Sequence, residues 1–355
     1  MGTRIMILAG GTGGHVYPAL AVARELMAGG HEVVWMGTRA GLEARVVPAA
    51  GIPMEWLTVA GLRGKGLRSQ LSAPFMLARA CRQAYAALRR IRPQVVLGMG
   101  GFVAGPGGLM ARWLGIPLVL HEQNRIPGTT NRWLAGRAQA LLEAFPGSFP
   151  ARLRARWAGN PLRPEIAALA RGRDHLPHDP PHILVVGGSL GAKALNELVP
   201  EALARTGLPV RILHQSGTLL LEETRARYAR LGLEARVEPF LEQMAEAYAW
   251  ADLAVCRAGA MTISELAAAG LPAILIPYPF AIDDHQTHNA RYLAEAGAAL
   301  LLPQSTLTVE RLAAELGALL RDPARRRAMA ERAAALAKPE AAGTVAAVCL
   351  AEARP

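Results

Sequence analysis

The sequence predicts an α/β protein of two doubly wound, Rossmann-like domains, and three observations predict it. Two segments share one design, an apolar strand, a glycine-rich turn and an apolar-periodic helix. The first runs through residues 5–9, Gly10-Gly11-Thr12-Gly13-Gly14-His15 and 16–27; the second through 183–186, Gly187-Gly188-Ser189-Leu190-Gly191 and 192–204. Further short apolar runs alternate with helical patterns, as βαβ units require. The chain's 355 residues also leave room for two domains, at roughly 150 residues each.

Each element has a local reason. Runs at 31–36, 95–98 and 118–121 read as strands of the first domain, and 210–214, 253–256 and 273–277 as strands of the second, because each is a short apolar run bounded by turn residues. Ala158-Gly159-Asn160-Pro161 breaks both periodicities and marks the join. The domains are therefore expected at 1–160 and 161–339. Residues 172–182, with Pro177, Pro180 and Pro181, read as a loop into the second domain's first strand. An Ala-rich helix at 341–353 could pack on either domain.

Composition excludes several classes. With 52% hydrophobic residues the chain is not disordered. Cys81, Cys256 and Cys349 are too few and too scattered for a disulfide framework or a zinc site. The run at 5–9 is too short for a signal peptide, and no window approaches the ~20 apolar residues of a membrane span, so a soluble or peripheral protein is expected. Charge is the informative quantity. Residues 1–160 carry 19 basic and six acidic side chains, net +13, whereas 161–355 carry 20 and 22, net −2. Nine basic residues and no acid lie between Glu55 and Glu122. Such asymmetry points to an anionic partner for the first half.

Glycine loops after strands bring backbone N–H groups to a helix N-terminus, where anions bind. Neither of the two is a dinucleotide fingerprint, since Val16 stands where the third glycine belongs and Met36-Gly37-Thr38 lacks a ribose-binding acid. Lys193 follows Ala192, so the second is not a P-loop. A third run, 98–108, holds six glycines in eleven residues at a strand end, where ligands bind in open α/β sheets. His121-Glu122-Gln123-Asn124 leaves the next strand directly as a polar tetrad. In the second half, Thr262-x-x-Glu265 has the spacing of a capping box, and a carboxylate aimed at sugar hydroxyls is the alternative. Asp283-Asp284-His285-Gln286-Thr287-His288-Asn289 resembles a metal cluster but reads better as a polar loop.

GGTGGHVYPALAVA, GMGGFVAGPGG, HEQN, GNPLR, GGSLGA and CRAGAMTISELAAAGLPAILIPYP occur in this order along nearly the whole chain. Together they resemble the MurG family, UDP-N-acetylglucosamine transferases that make the second lipid intermediate of bacterial peptidoglycan. The resemblance implies a GT-B fold, two Rossmann-like domains facing a cleft, with the C-terminal helix (340–355) returning to the first. It implies UDP-N-acetylglucosamine as donor, a polyprenyl-diphosphate-linked muramyl acceptor (lipid I) and possible cell-wall synthesis partners; with the helix N-terminus after Gly187–Gly191 and Arg163 to meet the diphosphate charge, no metal or other cofactor is expected. By similarity, the backbone of Leu241 would read uracil and Glu265 would hold the ribose. Ser189 and Arg163 would hold the diphosphate, Ala260, Met261, Thr262 and Gln286 would meet diphosphate and sugar, and Thr12, Gly13, Gly14 and Asn124 would contribute from the first domain. The family often has Gln at Leu190 and at His285, which weakens any role for those two side chains.

An inverting transfer needs a base at the attacking hydroxyl and stabilisation of the departing diphosphate. His15 is the expected base, with capping or acceptor-diphosphate binding as its alternative; Glu122 is the second choice. The acceptor also accounts for the charge map. Arg63, Lys65 and Arg68 with Leu71 and Phe75, joined by Trp113, mix cations and apolar side chains suited to an anionic membrane at its cytoplasmic face. A core stripe is the alternative for Phe75. Other readings are a GT-B enzyme such as a UDP-N-acetylglucosamine 2-epimerase, an NADP-linked oxidoreductase using Arg39, and an RNA-binding module. At 5% aromatic content, nucleic acid ranks last.

Overall fold

The computed structural model describes residues 2–59, 67–171, 177–188 and 191–354, with backbone alone at 67–73 and 171. The chain divides into two compact units, Met1–Arg163 with Glu340–Pro355, and Pro164–Pro339.

The first unit is built on seven parallel strands, β1 (Arg4–Ala9), β2 (Glu32–Gly37), β3 (Met54–Trp56), β4 (Val95–Gly100), β5 (Leu118–Glu122), β6 (Ala140–Glu143) and β7 (Arg156–Trp157), in the order β3-β2-β1-β4-β5-β6-β7. The second has six, β8 (His182–Val186), β9 (Arg211–Gln215), β10 (Ala235–Glu238), β11 (Leu253–Cys256), β12 (Ala273–Leu275) and β13 (Ala299–Leu301), in the order β10-β9-β8-β11-β12-β13. Each order reverses beside its first strand, so each unit has a switch point where loops diverge and leave a crevice at the strand carboxyl ends. Five strands escaped the sequence reading. Four of these, β3, β7, β10 and β13, are sheet edges of two to four residues, which pack against less core and so carry little apolar signal.

Central strands are buried on both faces, as parallel sheets require. In β1, Ile5 and Ile7 pack with Val16, Val22 and Leu26 of the Gly13–Ala28 helix, while Met6 and Leu8 face Leu88, Val103 and Ala104 on the other side. This period of two within an unbroken apolar run is the pleat itself. The C-terminal helix Ala341–Glu352 joins the first of these faces through Val345, Ala346 and Cys349. Behind it, Arg354 N–H donates to the Gln94 carbonyl.

A buried histidine lies within the second sheet. His214 on β9 is fully buried; its Nδ1 accepts from Tyr228 Oη at 2.9 Å and its Nε2 faces Asn196 Oδ1 at 3.0 Å. Asn196 Nδ2 donates to the Ser216 carbonyl, which leaves its Oδ1 as the acceptor and makes Nε2 the protonated nitrogen. Burial pushes the His214 pKa down to about 3.

Two outcomes are expected. Val345→Ala should lower the unfolding free energy of the first unit by about 2 kcal/mol, read from the urea midpoint; no change would mean that the C-terminal helix adds nothing to that core. For His214, the unfolded chain takes up a proton near pH 6.5 and the folded one only near pH 3. Its contribution is full above pH 6.5 and declines as pH falls through that window, by at most about 1.4 kcal/mol per unit. The loss of urea resistance between pH 7 and 5 should therefore shrink in His214→Gln, and an equal loss in both proteins would exclude His214 as a source.

Candidate active site

In the first unit three loops meet at the ends of β1, β4 and β5. The Gly13–Ala28 helix starts with Thr12 as N-cap, in an extended conformation and without a side-chain cap; His15 and Val16 N–H donate to the Thr12 carbonyl, which leaves the Gly13 and Gly14 N–H groups for a ligand. The loop before it is held from below by Glu43, fully buried, which accepts from Gly11 N–H (2.9 Å), Thr38 N–H (2.9 Å) and Thr38 Oγ1 (2.8 Å). Sequence reading missed Glu43, which stands two residues before Arg45 in a short helix and carries no motif of its own.

The glycine run at 98–108 has a specific reason. Gly100 adopts φ 101°, and a Cβ there would lie 2.8 Å from the His15 ring; at Gly101 a Cβ would lie 2.2 Å from the Gly10 carbonyl oxygen. Two loops thus approach so closely that only glycine fits. The half-buried His15 ring occupies the space at Gly100, with Nδ1 2.8 Å from Gln123 Oε1.

The polar tetrad after β5 turns inward. His121 and Gln123 are fully buried and bonded to each other, Gln123 Nε2 lying 3.0 Å from His121 Nδ1. Burial pushes the His121 pKa down to about 4, against the opposing effect of its bond to the Gly159 carbonyl. Glu122 is 1% exposed and spends both oxygens on the next loop. One accepts from Asn124 N–H (2.9 Å) and Asn124 Nδ2 (3.4 Å), the other from Gly128 N–H (3.1 Å) and Asn131 Nδ2 (2.9 Å). A carboxylate so engaged holds the 122–131 loop in shape. Glu143 does the same for the following loop, accepting from Gly147 and Phe149 N–H groups.

In the second unit the described residues expected to meet a donor follow β10, β11 and β12. Gly191, at φ 77°, crosses the β9 loop so closely that a Cβ would lie 1.9 Å from the Ser216 oxygen. The Lys193–Thr206 helix follows without a side-chain cap. Leu241 N–H donates to Gln215 Oε1 at 3.0 Å, and Gln215 Nε2 donates to the Gly188 carbonyl at 2.8 Å. The Leu241 N–H is therefore already engaged, which leaves its carbonyl as the group able to accept from a base edge. The Ala260–Ala269 helix is capped by Gly259, so Thr262 lies inside it and Glu265 is no capping-box partner. Instead Tyr248 Oη donates to Glu265 Oε2 at 2.9 Å. Gln286 opens the next helix, and its Oε1 accepts from Ala258 (3.3 Å) and Tyr278 (2.9 Å) N–H groups, tying together the loops after β11 and β12. Arg257 braces the same loops, donating to the carbonyls of Ile276 and Pro277 and to Gln304.

Other expected residues are placed differently. Arg163 ends the first unit, half-buried. Ser189 and Leu190 lie outside the described residues, as do Arg63 and Lys65; Arg68 and Leu71 fall in the Leu67–Ile91 helix where the backbone alone is described. Phe75, on that helix, is 80% exposed and Trp113 on the neighbouring one is 76% exposed, so Phe75 is not core. Among the described residues no helix is long and apolar enough to cross a membrane. His178, His182 and Asp252 form a compact group at the opposite, amino ends of β8 and β11. Its two imidazoles stack at 3.8 Å and 17°, so one ion cannot lie in both ring planes.

The chain matches two family models, the glycosyltransferase family 28 N-terminal domain at residues 5–142 and the C-terminal domain at 182–345. It is 64% identical to the UDP-N-acetylglucosamine–N-acetylmuramyl-(pentapeptide) pyrophosphoryl-undecaprenol N-acetylglucosamine transferase of Methylococcus capsulatus, over 99% of both chains. It is 53% identical to the protein of the same name from Pseudomonas aeruginosa, again over 99% of both. Among solved structures, that of Acinetobacter baumannii MurG superposes with a TM-score of 0.84 at 41% identity, covering 98% of this chain and 99% of that one. Os79 from O. sativa, solved with UDP, shares the fold at 14% identity, with a TM-score of 0.70 and 98% and 100% of the two chains covered. With both halves matched in order and near-complete coverage at this identity, the chain belongs to glycosyltransferase family 28, as a MurG-type enzyme of GT-B fold.

Proposed function

We propose that the protein transfers N-acetylglucosamine from UDP-N-acetylglucosamine to the C4 hydroxyl of N-acetylmuramic acid in undecaprenyl-diphospho-muramyl-pentapeptide, lipid I, giving lipid II for peptidoglycan. The observation that carries this reading is full-length identity of 64% to a transferase of that name. The same identity disfavours an epimerase, a nicotinamide-linked enzyme and a nucleic-acid module.

The site residues divide the work. In the second unit, the helix start at Lys193, which has no side-chain cap, offers backbone N–H groups to a diphosphate. By the family resemblance, Arg163 and Ser189 are assigned to the same diphosphate. Glu265, steadied by Tyr248, receives the ribose hydroxyls; the Leu241 carbonyl accepts from the uracil N3–H. Gln286 spends its oxygen on the protein and keeps its amide N–H groups for the donor sugar or phosphate, beside Ala260, Met261 and Thr262. Thr12, Gly13, Gly14 and Asn124 of the first unit are assigned to the donor by the family resemblance. His15 accepts the C4 hydroxyl proton as that oxygen attacks the anomeric carbon. The bond to the diphosphate oxygen breaks with its electron pair, so the α-linked donor becomes a β-linked product and UDP leaves. Glu122, with both oxygens committed to its own loop, organises rather than abstracts. The charge on UDP is met by dipoles and Arg163, and the chemistry requires no divalent metal.

The lipid acceptor puts the enzyme on the cytoplasmic face of the membrane as a peripheral protein. The basic excess of residues 1–160 and the exposed Phe75, Leu77 and Trp113 support that placement. Cations near anionic lipid contribute about 1 kcal/mol each, and inserted aromatic rings add to this.

UDP release should depend on a short-chain lipid I analogue and persist in EDTA. Release that EDTA abolishes would overturn the metal-free mechanism, and donor binding without acceptor-dependent release would overturn the transferase reading. His15→Gln should lower kcat by about 10²–10⁴-fold with little change in donor KM. Phe75→Ser with Trp113→Ser should weaken sedimentation with phosphatidylglycerol vesicles at least several-fold while leaving turnover of a soluble acceptor analogue unchanged; undiminished sedimentation would exclude these side chains from the membrane contact.

A further inference from the structure

The polar chain behind His15 has a direction that the protein itself dictates. Two backbone carbonyls, which can only accept, anchor it. The Gly159 carbonyl lies 2.8 Å from His121 Nε2, so that nitrogen carries a proton. The His121 carbonyl lies 3.1 Å from one end of the Gln123 amide, so that end is the NH2; the flipped amide would set oxygen against oxygen. The same NH2 lies 3.0 Å from His121 Nδ1, which must then present a lone pair, and His121 is neutral. The other end of the amide, Oε1, is 2.8 Å from His15 Nδ1 and can only accept.

We infer that Gln123 and His121 are positioning residues which hold neutral His15 as its Nδ1–H tautomer and so present an unprotonated Nε2 to the acceptor hydroxyl. This rests on the reading of His15 as the base. A neutral imidazole carries one N–H; with it fixed on Nδ1, the basic lone pair sits on Nε2, for which no protein partner exists among the described residues. His121 and Gln123 are both fully buried, so water does not compete for the chain. Asn160 Nδ2 donates to the Gln123 carbonyl at 3.1 Å and steadies the middle link. Gly159 and Asn160 open the GNPLR motif, of which the proposed substrate site uses only Arg163; here they supply the terminal carbonyl and the brace. Gly100 completes the arrangement, since any Cβ there would displace the ring.

When Nε2 takes the proton released as the C4 oxygen forms its bond to the anomeric carbon, the electron pair of the breaking bond leaves with UDP. His15 becomes an imidazolium whose Nδ1–H bond to Gln123 persists. No link in the chain has to reverse, so no reorganisation accompanies the transfer.

The test begins with the full-length wild-type protein. Two-bond ¹H–¹⁵N correlations above pH 8, with the His15 signals identified by their loss in His15→Gln, should show a pyrrole-type Nδ1 and a pyridine-type Nε2. The reverse pattern overturns the inference without any variant having to fold. Gln123→Leu should then give a mixed His15 tautomer and lower kcat by about 10- to 100-fold, less than removal of the base itself. KM for both substrates should stay within about twofold, because Gln123 touches neither. Wild-type kcat in Gln123→Leu, with His15→Gln inactive, overturns the positioning role and leaves the base. Wild-type kcat in His15→Gln overturns the base, and the positioning role with it.

Discussion

Every loop at a strand carboxyl end in this protein must find partners for backbone groups that the surrounding loops shield from water. An unpaired buried N–H costs about 1–3 kcal/mol, and glycine-rich segments have no side chains of their own to offer. The molecule answers with long polar side chains sent in from neighbouring elements. Glu43, Glu122 and Glu143 each gather two to four loop donors in the first unit. Gln215, Gln286 and Asn196 do equivalent work in the second. The positions of all proposed substrate groups depend on these ties.

The choice of acid or amide has an electrostatic consequence. Where a nucleoside diphosphate is to bind, neutral amides hold the loops without adding negative charge close to the ligand. Among residues 1–160 three of the six acids are taken inside as loop ties, and Glu32 and Glu55 pair with Arg4 and Arg90. The outer surface of that segment is thus more basic than its composition alone implies, which suits the anionic membrane contact proposed above. The cluster of His178, His182 and Asp252, at the far ends of β8 and β11, stands apart from this chemistry and closes a sheet end.

Buried histidines appear in both units, and each is read by the same accounting. His121 and His214 face groups whose donor or acceptor character is unambiguous, so their tautomers follow from geometry. His214 links sheet to helix. His121 links the sheet to the half-buried ring of His15 through one amide, so a core packing group orients the ring proposed as the base.

The sequence by itself determined the fold class, the two-unit organisation of its strands and glycine loops, and the family. Those depend on local periodicity, on residues that break it, and on motifs in fixed order. It located the glycine run at 98–108 and the tetrad at 121–124 without assigning their roles, because those roles depend on partners distant in the chain. Only the tertiary structure placed Gly100 under the His15 ring, engaged the Leu241 N–H with Gln215, filled both oxygens of Glu122, and moved Thr262 inside its helix. Edge strands of two to four residues were likewise illegible, since a strand that covers little core needs few apolar residues. Local pattern is written along the chain, whereas which end of an amide or imidazole carries a proton is settled by carbonyls that folding brings from as far as 38 residues away.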